Sequence, residues 1–335
     1  MTAADPSPIT DTIGKVLVVC SGQEADTDLL VAARGFAGPN GASLTVFSVV
    51  ELPSDAAEWA RAAQIDVEIA QARLVEDRRA ALLARIEQTG PDDDISVEVR
   101  IGKPFIEIIR LVIAEGFDFV VKTAEPLQGV QRFLFSSTDQ HLLRKCPCPV
   151  WLRKPGAPHA IGKVLAAVDV DLDDASEPET LELLNIRVMQ TAARMSPISE
   201  AMVGVLHAWD APGEGLVRLW ASGPDSRVAA ETYVASIHAS RARAVEGLAA
   251  QVADRFDAAG LGRPTYHTIL ERGPVRSVIA EQTRALAADI LVIGTVARTS
   301  LHGVIIGNTA EDVLNSIDCS VVAVKPPGFV TPLEF

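Results

Sequence analysis

The sequence predicts an α/β protein built from two tandem copies of one doubly wound domain with a parallel sheet. Three observations lead there. Short, continuous, β-branched runs alternate with helix-length segments, which is the pattern of strands buried on both faces. "IGKVL" occurs at Ile13–Leu17 and again at Ile161–Leu165, 148 residues later. The block from Asp118 to Pro155 also overlays the block from Asp289 to Pro326 without gaps, at an offset of 171. In that overlay Asp118/Asp289, Val121/Val292, Thr138/Thr309, Leu143/Leu314, Cys148/Cys319, Val150/Val321, Lys154/Lys325 and Pro155/Pro326 coincide. A domain-sized repeat of this kind means that each copy forms its own core.

In the first copy "KVLVVC" and "SLTVFSVV" are the first two strands, and a long amphipathic helix is expected from about Ala56 to Gln88. "ISVEVRIG" alternates as a third strand, followed by a helix from Pro104 to Glu115, the strand "FDFVVK", a helix over Ser137–Lys145 and the strand "PVWLRK". The second copy repeats the order with "KVLAAVDV", "AMVGVLHAW", a helix from about Val228 to Ala259, "TYHTILERG", "PVRSVIAEQTRALA", "DILVIG", "TAEDVLNSI" and "SVVAVKP". Five strands and alternating helices per copy give an open sheet, whose ligands bind beyond the carboxyl ends of the strands. The 23 extra residues of the second copy (171 minus 148) fall in the acidic segment after Asp169 and in "WDAPGEGLVRLWASGPDS". The Pro/Gly-punctuated "RKPGAPHAIG" sets the expected boundary, giving domains 1–155 and 156–335.

With 335 residues, 48% hydrophobic and 22% charged, the composition is globular. The net charge of −14 without a basic stripe argues against a nucleic-acid partner. The beginning "MTAADPSPITDTIG" has no basic-then-apolar leader pattern, and no apolar run reaches the ~18 residues of a membrane span. A cytoplasmic protein with no membrane partner is therefore expected. Four cysteines, Cys20, Cys146, Cys148 and Cys319, do not make a disulfide framework. The one-residue spacing of Cys146-Pro147-Cys148 is not that of a zinc knuckle, so the segment reads as the stiffened start of a buried strand.

The chemistry concentrates in "DILVIGTVARTSLHGVIIGNTAEDVL", Asp289–Leu314. A strand ends at Gly294, a turn runs through Ala297 to Gly303, and a helix begins near Gly307, Asn308 and Thr309. Glycines let backbone approach an anion, and the free N–H groups and dipole of a helix start favour its charge. Asn308 or Thr309 would cap that helix, with the Thr309 hydroxyl free to donate to a phosphate. The bland alternative is that Gly294 and Gly307 serve turn and cap geometry alone.

This stretch resembles the universal stress proteins, whose nucleotide-binding members carry Gly-x2-Gly-x9-Gly-Ser/Thr after the fourth strand. Gly294 matches the first glycine and Gly307 the third, whereas Ala297 stands at the second and Asn308, followed by Thr309, after the third. The tandem form, "HLLRKCPCPVW" and "GTVxRT…GNTAE" resemble the two-domain E branch of that family. The resemblance implies strand order 3-2-1-4-5 in each copy and a pseudo-dimer packed through the last strands. It implies ATP or another adenine nucleotide as ligand, with Asp169, ending the first strand of the second copy, near the adenosine. In the first copy Ser21, Thr123, Pro126, Ser136 and Ser137 stand at the corresponding positions, so that copy is not expected to bind ATP in the family's manner.

Two other classes compete. "VLAAVDVDLDD" ends a strand in Asp169-x-Asp171, as haloacid-dehalogenase-type phosphotransferases present nucleophile and acid, but their later lysine and Gly-Asp-x-x-x-Asp set is missing. The same run lacks the glycine and glutamate of a calcium loop. No Walker A, zinc-helix or Gly-x-Ser-x-Gly motif supplies a base or nucleophile for hydrolysis, so no enzyme is expected. A ligand-independent scaffold, or a carrier of an apolar, lipid-like molecule, stays open. His207, at the end of "VGVLH", reads as a structural histidine, and Trp59, Trp209 and Trp220 as cover for apolar surface between the copies.

Overall fold

The structure is a computed structural model that describes residues 12–62, 64–90, 95–125, 136–172, 175–195, 202–221, 225–295, 313–314 and 316–334. Two compact units emerge from it. One contains β1 (Lys15–Val19), β2 (Ser43–Val50), β3 (Ser96–Ile101), β4 (Phe119–Thr123), β5 (Val150–Arg153) and β10 (Ser320–Val324). The other contains β6 (Lys163–Ala167), β7 (Met202–Trp209), β8 (Tyr266–Arg272) and β9 (Ile290–Gly294).

Within the first unit the strands lie in the order β3-β2-β1-β4-β5-β10, and every pair from β3 to β5 is parallel. Within the second the order is β8-β7-β6-β9, again parallel throughout. Continuous apolar runs become fully buried central strands: Val16, Leu17 and Val18 in β1 and Leu291 and Val292 in β9 have no solvent exposure. The repeated residues have a shared task. Asp118 accepts from the N–H groups of Gly14 and Lys15 at 2.8 and 2.9 Å, and Asp289 accepts from those of Gly162 and Lys163 at 2.9 and 2.8 Å. One carboxylate thus ties the start of the first strand to the start of the fourth in both copies. Gly102 (φ 157°) and Gly273 (φ 149°) make the matching turns after β3 and β8, in backbone space that favours glycine.

Helices cover the strands. α1 is Ala25–Asn40, α2 Ala56–Ala62, α3 Val67–Gln88, α4 Pro104–Glu115 and α5 Ser137–Lys145. α6 is Pro178–Arg194, α7 Glu214–Trp220, α8 Ser226–Ala258 and α9 Val275–Ala285. α4 and α5 have the expected bounds. The single helix expected over Ala56–Gln88 is instead α2 and α3: Gln64 takes φ 53°, and Asp66 caps α3 by accepting from Glu68 N–H at 2.8 Å. α7 forms inside the Gly/Pro-rich insertion and starts after Gly213, which lies against α8, where a Cβ would sit 2.7 Å from the Tyr233 hydroxyl. Trp209 is buried within its own unit, edge-on to His238 at 5.3 Å, whereas Trp220 is 78% exposed; the side chain of Trp59 lies outside the described residues.

β10 is the last strand of the second copy, yet it pairs antiparallel with β5, Val322 opposite Trp151. It carries Lys325 into the first unit, where the ammonium is 3% exposed and donates to the carbonyl of Leu143. Burial lowers its pKa from 10.5 to about 7, with the charge of Cys146 acting the other way. Between those values the unfolded chain binds a proton that the fold does not, so stability rises with pH across the window and is lost as pH falls through about 7. Lys325→Met is expected to flatten this slope, at most about 1.4 kcal/mol per pH unit, in urea unfolding measured across the window.

Candidate functional site

The candidate site lies at the carboxyl ends of the central strands, beyond the first and the fourth strand of each copy. In the first copy β1 hands over to α1 through Ser21, Gly22 and Gln23, with Gly22 at φ 84°. Asp26, in the first turn of α1 and 3% exposed, folds back onto this loop. Its carboxylate accepts from the N–H groups of Ser21 at 3.1 Å, Gly22 at 2.6 Å and Gln23 at 3.0 Å. Three converging amides at a helix start make an anion seat, and here a side chain from the first turn of that helix fills it. The neighbouring Cys20 thiol is pushed well up by burial and by the charge of Asp26, so it is inert.

After β4 the arrangement recurs with a different residue. Ser136 and Asp139 form a capping box at α5: the Asp139 N–H donates to Ser136 Oγ at 3.2 Å, and Asp139 Oδ2 accepts from Ser136 N–H at 3.3 Å. The same oxygen accepts from Glu125 N–H at 2.9 Å. Lys122, at the end of β4 and 5% exposed, brings its ammonium to 3.0 Å from Asp139 and 2.7 Å from Glu125. Asp139 has no solvent exposure, and burial raises its pKa above the ordinary 3.8 although Lys122 and the Glu125 N–H pull it down.

In the second copy Asp169 follows β6 and is held by its backbone. Asn185 of α6 accepts from its N–H at 3.0 Å and donates to its carbonyl at 2.6 Å, while the carboxylate accepts from Asp171 N–H at 3.2 Å. Asp171 forms an ion pair with Arg241 of α8 and stands 3.9 Å from His207 Nε2. His207 is 1% exposed and its Nδ1 donates to the carbonyl of Val168 at 3.2 Å, joining the end of β7 to the exit of β6. Burial lowers its pKa below 6.5, against the pull of the Val168 carbonyl and of Asp171 and Asp169, which raise it.

Gly294, at the end of β9, is met by Leu184 of α6: a Cβ there would lie 2.7 Å from Leu184 Cδ2. The glycine thus leaves room for Leu184 in the packing of α6 on the sheet. Gly294→Ala is expected to cost about 1–3 kcal/mol by overpacking. Adding Leu184→Ala relieves the clash, so thermal unfolding of the double variant should show a loss smaller than the sum of the single losses. Ala297, Gly307, Asn308 and Thr309 lie outside the described residues, as does Pro126 of the first copy. Among the described residues no group of three His, Cys, Asp or Glu side chains is arranged to hold a metal ion, and no helix is long and apolar enough to cross a membrane.

The sequence patterns did not single out Asp26, the Lys122–Asp139 pair, Asn185 or Arg241. The overlay of the copies contained one usable sign: at the offset of 171, Lys122 faces Ile293 and Asp139 faces Ala310. A charged pair in one copy opposite an apolar pair in the other marks a position where the copies differ in purpose.

A family model described as the universal stress protein family matches residues 12–154 and 185–325. The chain belongs to the universal stress protein family. As a tandem universal stress protein it is similar to universal stress protein E of Escherichia coli K12, with 31% identity over 245 residues and 72% of each chain covered. It is similar also to a universal stress protein E homolog of Haemophilus influenzae, with 26% identity over 212 residues and 63% of each chain covered. Among solved structures it shares its fold with a functionally unknown protein of Pseudomonas aeruginosa PAO1, at TM-score 0.64, 24% identity and 94% of each chain. A universal stress protein of Archaeoglobus fulgidus follows the same fold at TM-score 0.59 and 17% identity, over 93% of this chain and 98% of that one.

Proposed function

We propose that this universal stress protein is a non-catalytic cytoplasmic stress-response factor that takes up ATP or another adenine nucleotide in its second copy only. The observation that carries the reading is the difference between the copies. Asp139 and Lys122 fill the helix start after the fourth strand of the first copy, and their counterparts Ala310 and Ile293 bring no carboxylate or ammonium. A helix start there without such an internal pair would be open to an external anion, and Gly307, Asn308 and Thr309 are the residues that would receive the phosphates. Asp169, steadied by Asn185, would meet the sugar end. The chain would divide into domains 1–155 and 156–335 and form an intramolecular pseudo-dimer. The ion pair of Asp171 with Arg241 argues against the phosphotransferase reading, because that chemistry needs Asp171 free to deliver a proton.

A scaffold reading draws on one feature, the face of α7, where Leu216 is 56%, Leu219 75% and Trp220 78% exposed. Calorimetric titration of the full chain with ATP separates the two. Saturable binding at one site per chain, lost in Gly307→Val with the circular dichroism spectrum unchanged, is expected for the nucleotide reading. No saturable heat in the wild-type chain leaves the scaffold.

A further inference from the structure

The Cys146-Pro147-Cys148 segment has a part to play that strand packing does not need. α5 ends at Cys146, whose N–H still donates to the Leu142 carbonyl, and β5 begins at Val150 after Pro149. Pro147 and Pro149 leave the backbone between the two thiols little freedom. The sulfurs are 3.6 Å apart, within hydrogen-bonding reach of one another. A disulfide needs about 2.05 Å, so the two sulfurs would have to approach further for the bond to form. Cys146 is fully buried, while Cys148 keeps 6% of its surface exposed. The buried Lys325 amine, which donates to the carbonyl of Leu143 one turn earlier, lies close to Cys146.

We propose that Cys146 and Cys148 form a dithiol modification site that a small hydroperoxide oxidises to an intramolecular disulfide. Cys148, the residue of the pair that keeps some exposure, attacks the peroxide: an S–O bond forms, the O–O bond breaks and hydroxide leaves. Cys146 then attacks the Cys148 sulfur: the S–S bond forms, the S–O bond breaks and a second hydroxide leaves. The two thiol protons neutralise the hydroxides, so two thiols and one hydrogen peroxide give one disulfide and two waters. The bond would lock the joint between α5 and β5, beside the amine that β10 brings in.

The test uses the native full-length chain, treated with hydrogen peroxide, alkylated and digested with trypsin. Lys145 and Arg153 flank one peptide that holds both cysteines. The expected result is that this peptide is unalkylated and lighter by two hydrogen atoms, and that dithiothreitol restores alkylation. In Cys146→Ser the sulfenic acid on Cys148 should instead be trapped by dimedone. Full alkylation of both cysteines after peroxide exposure overturns the proposal. So does oxidation of Cys148 to the sulfinic acid without a disulfide, or a bridge from either cysteine to Cys20 or Cys319. The wild-type digest decides among these even if a variant fails to fold.

Discussion

Lys122→Met is expected to destabilise the unit built on β1–β5 by about 3–5 kcal/mol at neutral pH, because it leaves the fully buried Asp139 carboxylate without its cation. The loss should depend on pH in a defined sense. In the fold the Asp139 pKa lies above the ordinary 3.8, so in that window the folded chain holds a proton that the unfolded chain has released, and stability rises as pH falls into it. Lys122 is one of the groups pulling that pKa down, so its removal carries the window upward and acid should restore part of the lost stability. Lys122→Met combined with Asp139→Asn should recover most of the loss, since Asn keeps an oxygen for the Glu125 and Ser136 N–H groups and carries no charge. Urea unfolding followed by circular dichroism at two pH values reads all three outcomes.

Asp26→Ala should cost about 3 kcal/mol, because it strips the acceptor from three amides at the start of α1. The vacated seat then has the chemistry of an oxyanion site. Sulfate is therefore expected to raise the melting temperature of Asp26→Ala by several degrees more than that of the wild-type chain, a difference of about 1 kcal/mol in stability. An equal response in the two proteins would mean that the loop collapses when its carboxylate is removed. Asp26→Asn is the finer probe, as it keeps one acceptor oxygen and should lose less.

Much of the fold was legible because its signals are local. Strands such as "DILVIG" are continuous apolar runs, α4 opens with Pro104 and stops at Gly116, and the shared Asp118 and Asp289 do the same work in both copies. The break between α2 and α3 was missed because apolar periodicity runs on through it, and only the capping carboxylate of Asp66 reveals it. The pairing of β10 with β5 joins strands far apart in sequence, which no window on the chain reports. The site was legible in outline and silent in its particulars. A glycine signature drew attention to Gly294, but the neighbour that demands a glycine there is Leu184, on a helix more than a hundred residues earlier. Asp26 and Asp139 look in the sequence like ordinary acidic residues at helix starts. Only their burial and their aim at backbone amides show that the first copy carries its own anions.

A crystal structure of the full chain grown with ATP tests this self-supplied charge most directly. Phosphate density is expected beyond the carboxyl end of β9, with Asp26 still on the amides of Ser21–Gln23 and Asp139 still beside Lys122. Phosphates seated on the first copy's amides with either carboxylate displaced would contradict it.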